Sequence, residues 1–153
     1  MSYSRDEQIL KKILRTIINS TAGLIHVLIV DDTGITILSE SKFHFRDNAT
    51  TVEKIGAIGS AVFIANEEQG QILGYGGIRI QITEYQDGMI FSAKTGNGVL
   101  CIATDPNAQI GFIRAIVKKY APIITKVLKT YLKQEKDTIS KEIKDILSED
   151  LGS

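Results

Sequence analysis

Residues 78–85 read Ile-Arg-Ile-Gln-Ile-Thr-Glu-Tyr, a strict alternation that no amphipathic helix can satisfy. Ile78, Ile80 and Ile82 point one way, and Arg79, Gln81, Thr83 and Tyr85 the other. Asp87-Gly88 follows and predicts a two-residue hairpin turn of the primed type. That turn pairs Gln86 with Met89, Glu84 with Phe91, Thr83 with Ser92 and Ile82 with Ala93. One face of the hairpin is then Ile78, Ile80, Ile82, Met89, Phe91 and Ala93, as a half-buried antiparallel pair requires.

The rest of the chain is built around this hairpin. Ser4 and Glu7 have capping-box spacing, and Ile9, Leu10, Ile13, Leu14, Ile17 and Ile18 recur at helical intervals, so the first helix is expected over 5–20, with Gly23 as its stop. Residues 24–30 and 35–39 form a hairpin around Asp31-Asp32-Thr33-Gly34. Both faces of the first of these strands are apolar, which places it inside the sheet. An irregular stretch with Phe43, His44 and Phe45 leads to a second capping-box spacing, Thr50 and Glu53, and a helix to about Asn66. Gly96-Asn97-Gly98 turns the chain into an apolar central strand, 99–104, that buries Cys101. Asp105 is read as a cap and Pro106 as a first helical residue. A long helix follows, with Ile110, Ile113, Val117, Tyr120, Ile124, Val127, Leu128 and Tyr131 inward, and Pro122 is expected to kink or break it. Residues 1–132 are read as one domain. Residues 133–153 are a charged amphipathic extension, with Ile139, Ile143 and Ile146 at helical spacing, that could extend the last helix, fold back on the sheet or dock on a partner.

The second helix carries an unusual set of small residues. Each interior glycine costs about 1 kcal/mol relative to alanine, so Gly56, Gly59 and Ser60, with Phe63 beside them, mark one helix side that another backbone approaches closely.

The 153 residues balance 18 Lys and Arg against 18 Asp and Glu, but the charges are sorted. Segment sums are +2 for 1–20, −5 for 21–106, +6 for 107–133 and −3 for 134–153. The basic helix is read as a solvated face, with an anionic-surface binder as the rival reading. No aromatic stripe accompanies its lysines, which argues against nucleic acid. One cysteine excludes an internal disulfide, and charges interrupt every apolar run in the first 20 residues, so a cytoplasmic protein without signal peptide or membrane insertion is expected. The sequons at Asn19 and Asn48 are read as chance matches.

No catalytic constellation emerges. Gly74-Tyr75-Gly76-Gly77 precedes a strand and lacks the Lys and Ser/Thr of a phosphate loop. His26 and His44 have no metal-ligand spacing, Cys101 has no basic neighbour, and the adjacent pairs Asp31-Asp32 and Glu67-Glu68 are read as lying in turns, where neighbouring side chains diverge. No cofactor, no metal and no enzymatic activity are expected.

Four stretches, AIGSAVFIANEEQGQILG, IRIQITEYQDGMIFSA, GVLCIATDP and NAQIGFIRAIVKK, together with the element order, resemble the Roadblock/dynein light chain superfamily over roughly residues 5–132. That superfamily includes dynein subunits, subunits of the lysosomal Ragulator scaffold, and bacterial or archaeal regulators of Ras-like GTPases. The resemblance implies an α+β fold: a five-stranded antiparallel sheet of order 2-1-5-4-3, with the first and last helices on one face and the middle helix on the other. It also implies a homodimer formed by third strands edge to edge and middle helices side by side. Gly56, Gly59, Ser60, Phe63, Arg79, Gln81 and Thr83 are then the expected interface. The implied partner is a small Ras-like GTPase, with Glu67, Glu68, Gln69, Ile139, Ile143 and Ile146 as candidate contacts. A scaffold subunit forming heterodimers with other Roadblock chains is the alternative.

Overall fold

A computed structural model describes residues 4–42 and 49–151. The elements are α1 (Arg5–Ile18), β1 (Leu24–Asp31), β2 (Thr36–Ser41), α2 (Ala49–Ile72), β3 (Gln81–Tyr85), β4 (Gly88–Thr95), β5 (Gly98–Thr104) and α3 (Ile110–Leu151). The strands form one antiparallel sheet in the order β2-β1-β5-β4-β3. This is the α+β arrangement implied by the resemblance. Phe43, His44, Phe45 and the Asn48 sequon lie outside the described residues.

The main core lies between α1, α3 and one sheet face. Leu10, Leu14 and Ile17 of α1 and Ile113, Ile124 and Leu128 of α3 close over Val27, Ile29, Phe91, Leu100 and Ile102. A smaller core on the other face joins Val52 and Phe63 of α2 to Leu28, Val30, Val99 and Cys101. Alternation along each strand sends successive residues to opposite cores.

Ser4 caps α1, its Oγ accepting from the Glu7 backbone N–H at 3.2 Å, but the helix stops at Asn19, well before Gly23. The β3–β4 hairpin keeps its predicted faces except at Ile78 and shifts its register by two. Ile82 pairs with Phe91, Glu84 with Met89 and Tyr85 with Gly88, so the turn is Gln86-Asp87. A primed turn needs positive φ, and Gly88 does not have it. Gly88 answers a different demand, since a Cβ there would stand 2.5 Å from the Thr104 carbonyl oxygen. β3 begins at Gln81, and Ile78 packs with the α2 core while Ile80 and Ile82 pack with the other.

The second helix is longer than expected. It starts at Ala49, so Thr50 lies inside its first turn, and it runs to Ile72. Its end is a Schellman cap: the Tyr75 N–H donates to the Gly70 carbonyl and the Gly74 N–H to that of Gln71, with Gly74 at φ +72°. The glycine-rich stretch 74–77 therefore begins as a helix stop. Asp105 caps a turn, accepting from the Asn107 N–H, and α3 starts four residues after Pro106. Pro122 does not break α3. It sits on the exposed side, where water can take the Lys118 carbonyl left without its intrahelical donor. The tail is a continuation of α3 rather than a separate short helix.

Candidate interaction site

α2 meets the sheet with its small residues. A Cβ on Gly56 would run into Thr36 Oγ1 and come within 3.2 Å of Val30, and one on Gly59 would touch Cys101 Sγ at 3.4 Å. Ser60 is buried and donates its hydroxyl to the Asp31 carbonyl at 3.3 Å, and Phe63 fills the small core. The backbone that approaches this side of α2 is the chain's own sheet. Gly56, Ser60 and Phe63 face the chain's own sheet, and the close approach that their side of α2 announces is met within the protomer.

The open face of α2 is the next flank round. α2 lies over β2, β1 and β5, and the same face of β4 and β3 has no helix on it. A cleft of about 310 Å³ remains there, walled by Ile55, Ile58 and Val62 of α2 and by Thr83, Tyr85 and Ile90 of the hairpin, with Gly59, Gln81, Ser92 and Cys101 also lining it. Its lining is mostly apolar. Ile58 is 65% exposed, Val62 44% and Tyr85 60%. Asn66 Nδ2 donates to Gln81 Oε1 at 2.8 Å and holds the rim of the hairpin to α2. β3 is an edge strand, so its outer backbone groups are unpaired beside the cleft.

Of the residues expected at an interface, Gly59, Gln81 and Thr83 line this cleft. Arg79 precedes β3 and lines a different groove, toward α3. Ile58, Val62 and Ile90 were not foreseen. Their apolar side chains are plain in the sequence, but their exposure depends on which strands α2 leaves bare.

Beyond Phe63, a second cleft of about 390 Å³ opens between the last turns of α2 and the Gly96-Asn97 turn. Glu67 and Glu68 line it with Asp32 and Lys94. Both glutamates lie within α2 rather than in a turn, and Gln69 is exposed outside the cleft. The cleft combines acidic groups with open access, a surface suited to polar contact.

Asp31, His26 and Cys101 make contacts within the protomer. Asp31 Oδ1 accepts from the Thr33 N–H, the Thr33 hydroxyl and the Ile35 N–H. Partial burial pushes its pKa up, but these bonds and one from Gly34 outweigh it and hold the carboxyl below its ordinary value. His26 Nδ1 lies 2.7 Å from Ser41 Oγ, and burial lowers its pKa. Burial raises that of Cys101 despite the Ser92 hydroxyl 3.7 Å away. Among the described residues no group of three or more His, Cys, Asp or Glu could hold a metal, and no helix is long and apolar enough to cross a membrane.

A family model described as mitogen-activated protein kinase kinase 1 interacting matches residues 8–132. Two uncharacterized proteins of Methanocaldococcus jannaschii are each 28% identical over 104 residues, covering 68% of this chain and 87% of their own. Among solved structures, the gliding protein MglB of Thermus thermophilus superposes with a TM-score of 0.75 at 11% identity, over 85% of this chain and 96% of that one. Myxococcus xanthus MglB gives 0.70 at 18% identity, over 85% and 95%. A Roadblock/LC7 domain from Streptomyces avermitilis gives 0.66 at 12%, over 80% and 96%. At these identities the likeness is one of fold.

Proposed function

The chain belongs to the mitogen-activated protein kinase kinase 1 interacting family and has the Roadblock fold, and on that premise we propose that it is a non-enzymatic homodimeric module that binds or regulates a small Ras-like GTPase. The observation that carries the dimer is the cleft beside the free edge of β3. A second copy would lay its α2 along Ile58 and Val62 and its β3 along the exposed edge, covering two liabilities with one two-fold contact. Ile58→Asp puts a charge into that contact without touching the protomer's core. The expected result is a halved mass in sedimentation with an unchanged circular dichroism spectrum; an unchanged mass overturns the dimer.

The GTPase reading rests on the superfamily resemblance and on the acidic cleft of Glu67, Glu68 and Asp32, with Gln69 nearby, at the end of α2. In a dimer two such ends lie near the paired helices and form a polar platform. The hydrolytic chemistry would belong to the partner, with this protein positioning its switch regions. The test is capture of GTPases from the same cell in GDP and non-hydrolysable GTP forms, with single-turnover hydrolysis measured in parallel. Nucleotide-dependent binding lost on Glu67→Lys/Glu68→Lys supports the reading; no binding and no rate change with any of them overturns it. The family's description as kinase-interacting favours a second reading, a scaffold subunit that pairs with a different Roadblock chain, which would sediment as a monomer until that chain is added.

A further inference from the structure

Where β3 begins, a groove of about 660 Å³ opens between residues 78–80, the end of β4 and the first turns of α3. Its floor is apolar, with Ile80, Ala93 and Val117, and its rims carry Arg79, Arg114 and Lys118 without a carboxylate. Among the described residues none of these three cations is in an ion pair. Further along α3, every side chain from Lys133 to Glu149 is exposed. Ile139, Ile143, Ile146 and Leu147 form an apolar stripe there, 53%, 53%, 58% and 54% exposed. Glu135, Glu142 and Glu149 border the stripe. They continue, at seven-residue steps, the row of Leu128, which is buried toward the sheet. Lys144 falls on the opposite border.

We infer that groove and stripe are two halves of one contact, in which a second copy of the chain packs its α3 antiparallel to the first and each tail lies in the other's groove. Ile143 follows Lys118 by about seven whole turns at 3.6 residues per turn, so the stripe and the α3 side of the groove face the same way. A single two-fold axis near residues 130–131 therefore seats both tails at once and closes the contact. Charge selects the antiparallel sense. Residues 107–133 carry +6 and 134–153 carry −3, so antiparallel pairing sets basic half against acidic half, while parallel pairing sets like against like. The glutamate row, on the sheet side of its helix, is brought to the wall that carries Arg79. A chain cannot fill its own groove, because the unbroken helix holds Ile143 about 40 Å from Lys118. The surface used is separate from the α2 cleft.

Sedimentation of the full chain at low salt tests this, in an Ile58→Asp background that removes the α2 contact. The chain is expected to remain a reversible dimer there, weakening as salt rises. Glu142→Lys/Glu149→Lys and Arg114→Glu/Lys118→Glu should each weaken that dimer about tenfold or more. An equimolar mixture of the two should regain it, since each reversed tail meets a reversed groove and each native tail a native one. A strictly monomeric Ile58→Asp chain overturns this contact and leaves the α2 reading standing. Sensitivity to the tail variant alone, as tail-to-tail pairing would give, or a mixture that fails to regain association, also overturns it. If the Arg114→Glu/Lys118→Glu chain loses its native circular dichroism, Arg79→Glu replaces it, with the same expected direction of effect and the same recovery on mixing.

Discussion

The two faces of the sheet are covered unequally. Five strands about 4.8 Å apart make a surface roughly 24 Å wide, and a helix about 10 Å across covers two strands and part of a third. The α1–α3 face has two helices and closes. The other face has α2 alone, which covers β2, β1 and β5 and leaves the β4–β3 side to solvent. The closed face holds the larger core, and the half-covered face keeps an apolar cleft open to solvent. The glycines of α2 sharpen the contrast, because they lower the helix onto three strands and leave its flank, with Ile58 and Val62, standing beside the bare ones.

The largest expected effect tests which face holds the protomer together. Phe91 is fully buried under α1 and α3, and Phe91→Ala is expected to cost about 3–5 kcal/mol in chemical denaturation. Val62→Ala, on the open face, should change monomer unfolding by no more than about 0.5 kcal/mol. Equal losses at the two sites would end the distinction between a stabilising and a receiving face.

Next in size is the seat of α2. Gly56→Ala drives a methyl group into Thr36 Oγ1 and against Val30 and is expected to cost about 1–3 kcal/mol, even though alanine is the better helix former. Thr36 Oγ1 is itself buried with no hydrogen-bond partner. Adding Thr36→Ala removes both the clash and an unsatisfied polar atom, so the double variant should recover most of the loss. A Gly56→Ala chain as stable as the wild type would mean that α2 does not sit this close. At Gly59 the clearance is ordinary, and Gly59→Ala should stay within about 1 kcal/mol of wild type. Gly59→Leu fills the cleft instead, so its mass should halve; a folded Gly59→Leu chain of wild-type mass would show that the cleft is not where copies meet.

The same contrast marks what could be read from the chain. Alternation gave the faces of the β3–β4 hairpin, because side-chain direction is a local property of period two. Its register was off by two, because Asp87-Gly88 has the composition of a primed turn while Gly88 is required by the Thr104 carbonyl, a neighbour remote in sequence. The inward side of α3 was legible from helical spacing, whereas α2 was not so simply read. Its small residues announce a close approach, and the chain's own sheet and a second molecule call for the same residues. Only the position of β1 and β5 decides between them. Glu67 and Glu68 were misplaced in a turn because α2 runs on past Asn66 to Ile72 and stops only at the Schellman glycine, Gly74.

The smallest effect concerns a polar residue that the half-covered face admits. His26 shares its side of β1 with Leu28 and Val30, is buried, and meets the Ser41 hydroxyl. Burial holds its folded-state pKa below 6.5, while the unfolded chain keeps the ordinary value. Below about pH 6.5 the unfolded state therefore takes up a proton that the folded state resists, and stability must fall as pH drops through this window, levelling once the folded imidazole also titrates. Above the window the contribution is constant. Asp31 shifts in the same direction for another reason, its folded pKa being held below 3.8 by hydrogen bonds to the charged carboxylate, so its contribution is present above that value and is lost only in stronger acid. The two groups separate on the pH axis. Urea midpoints measured from about pH 7.5 down to about pH 5 should decline for the wild type and run flatter for His26→Gln, and parallel curves would show that this histidine carries no part of the acid sensitivity.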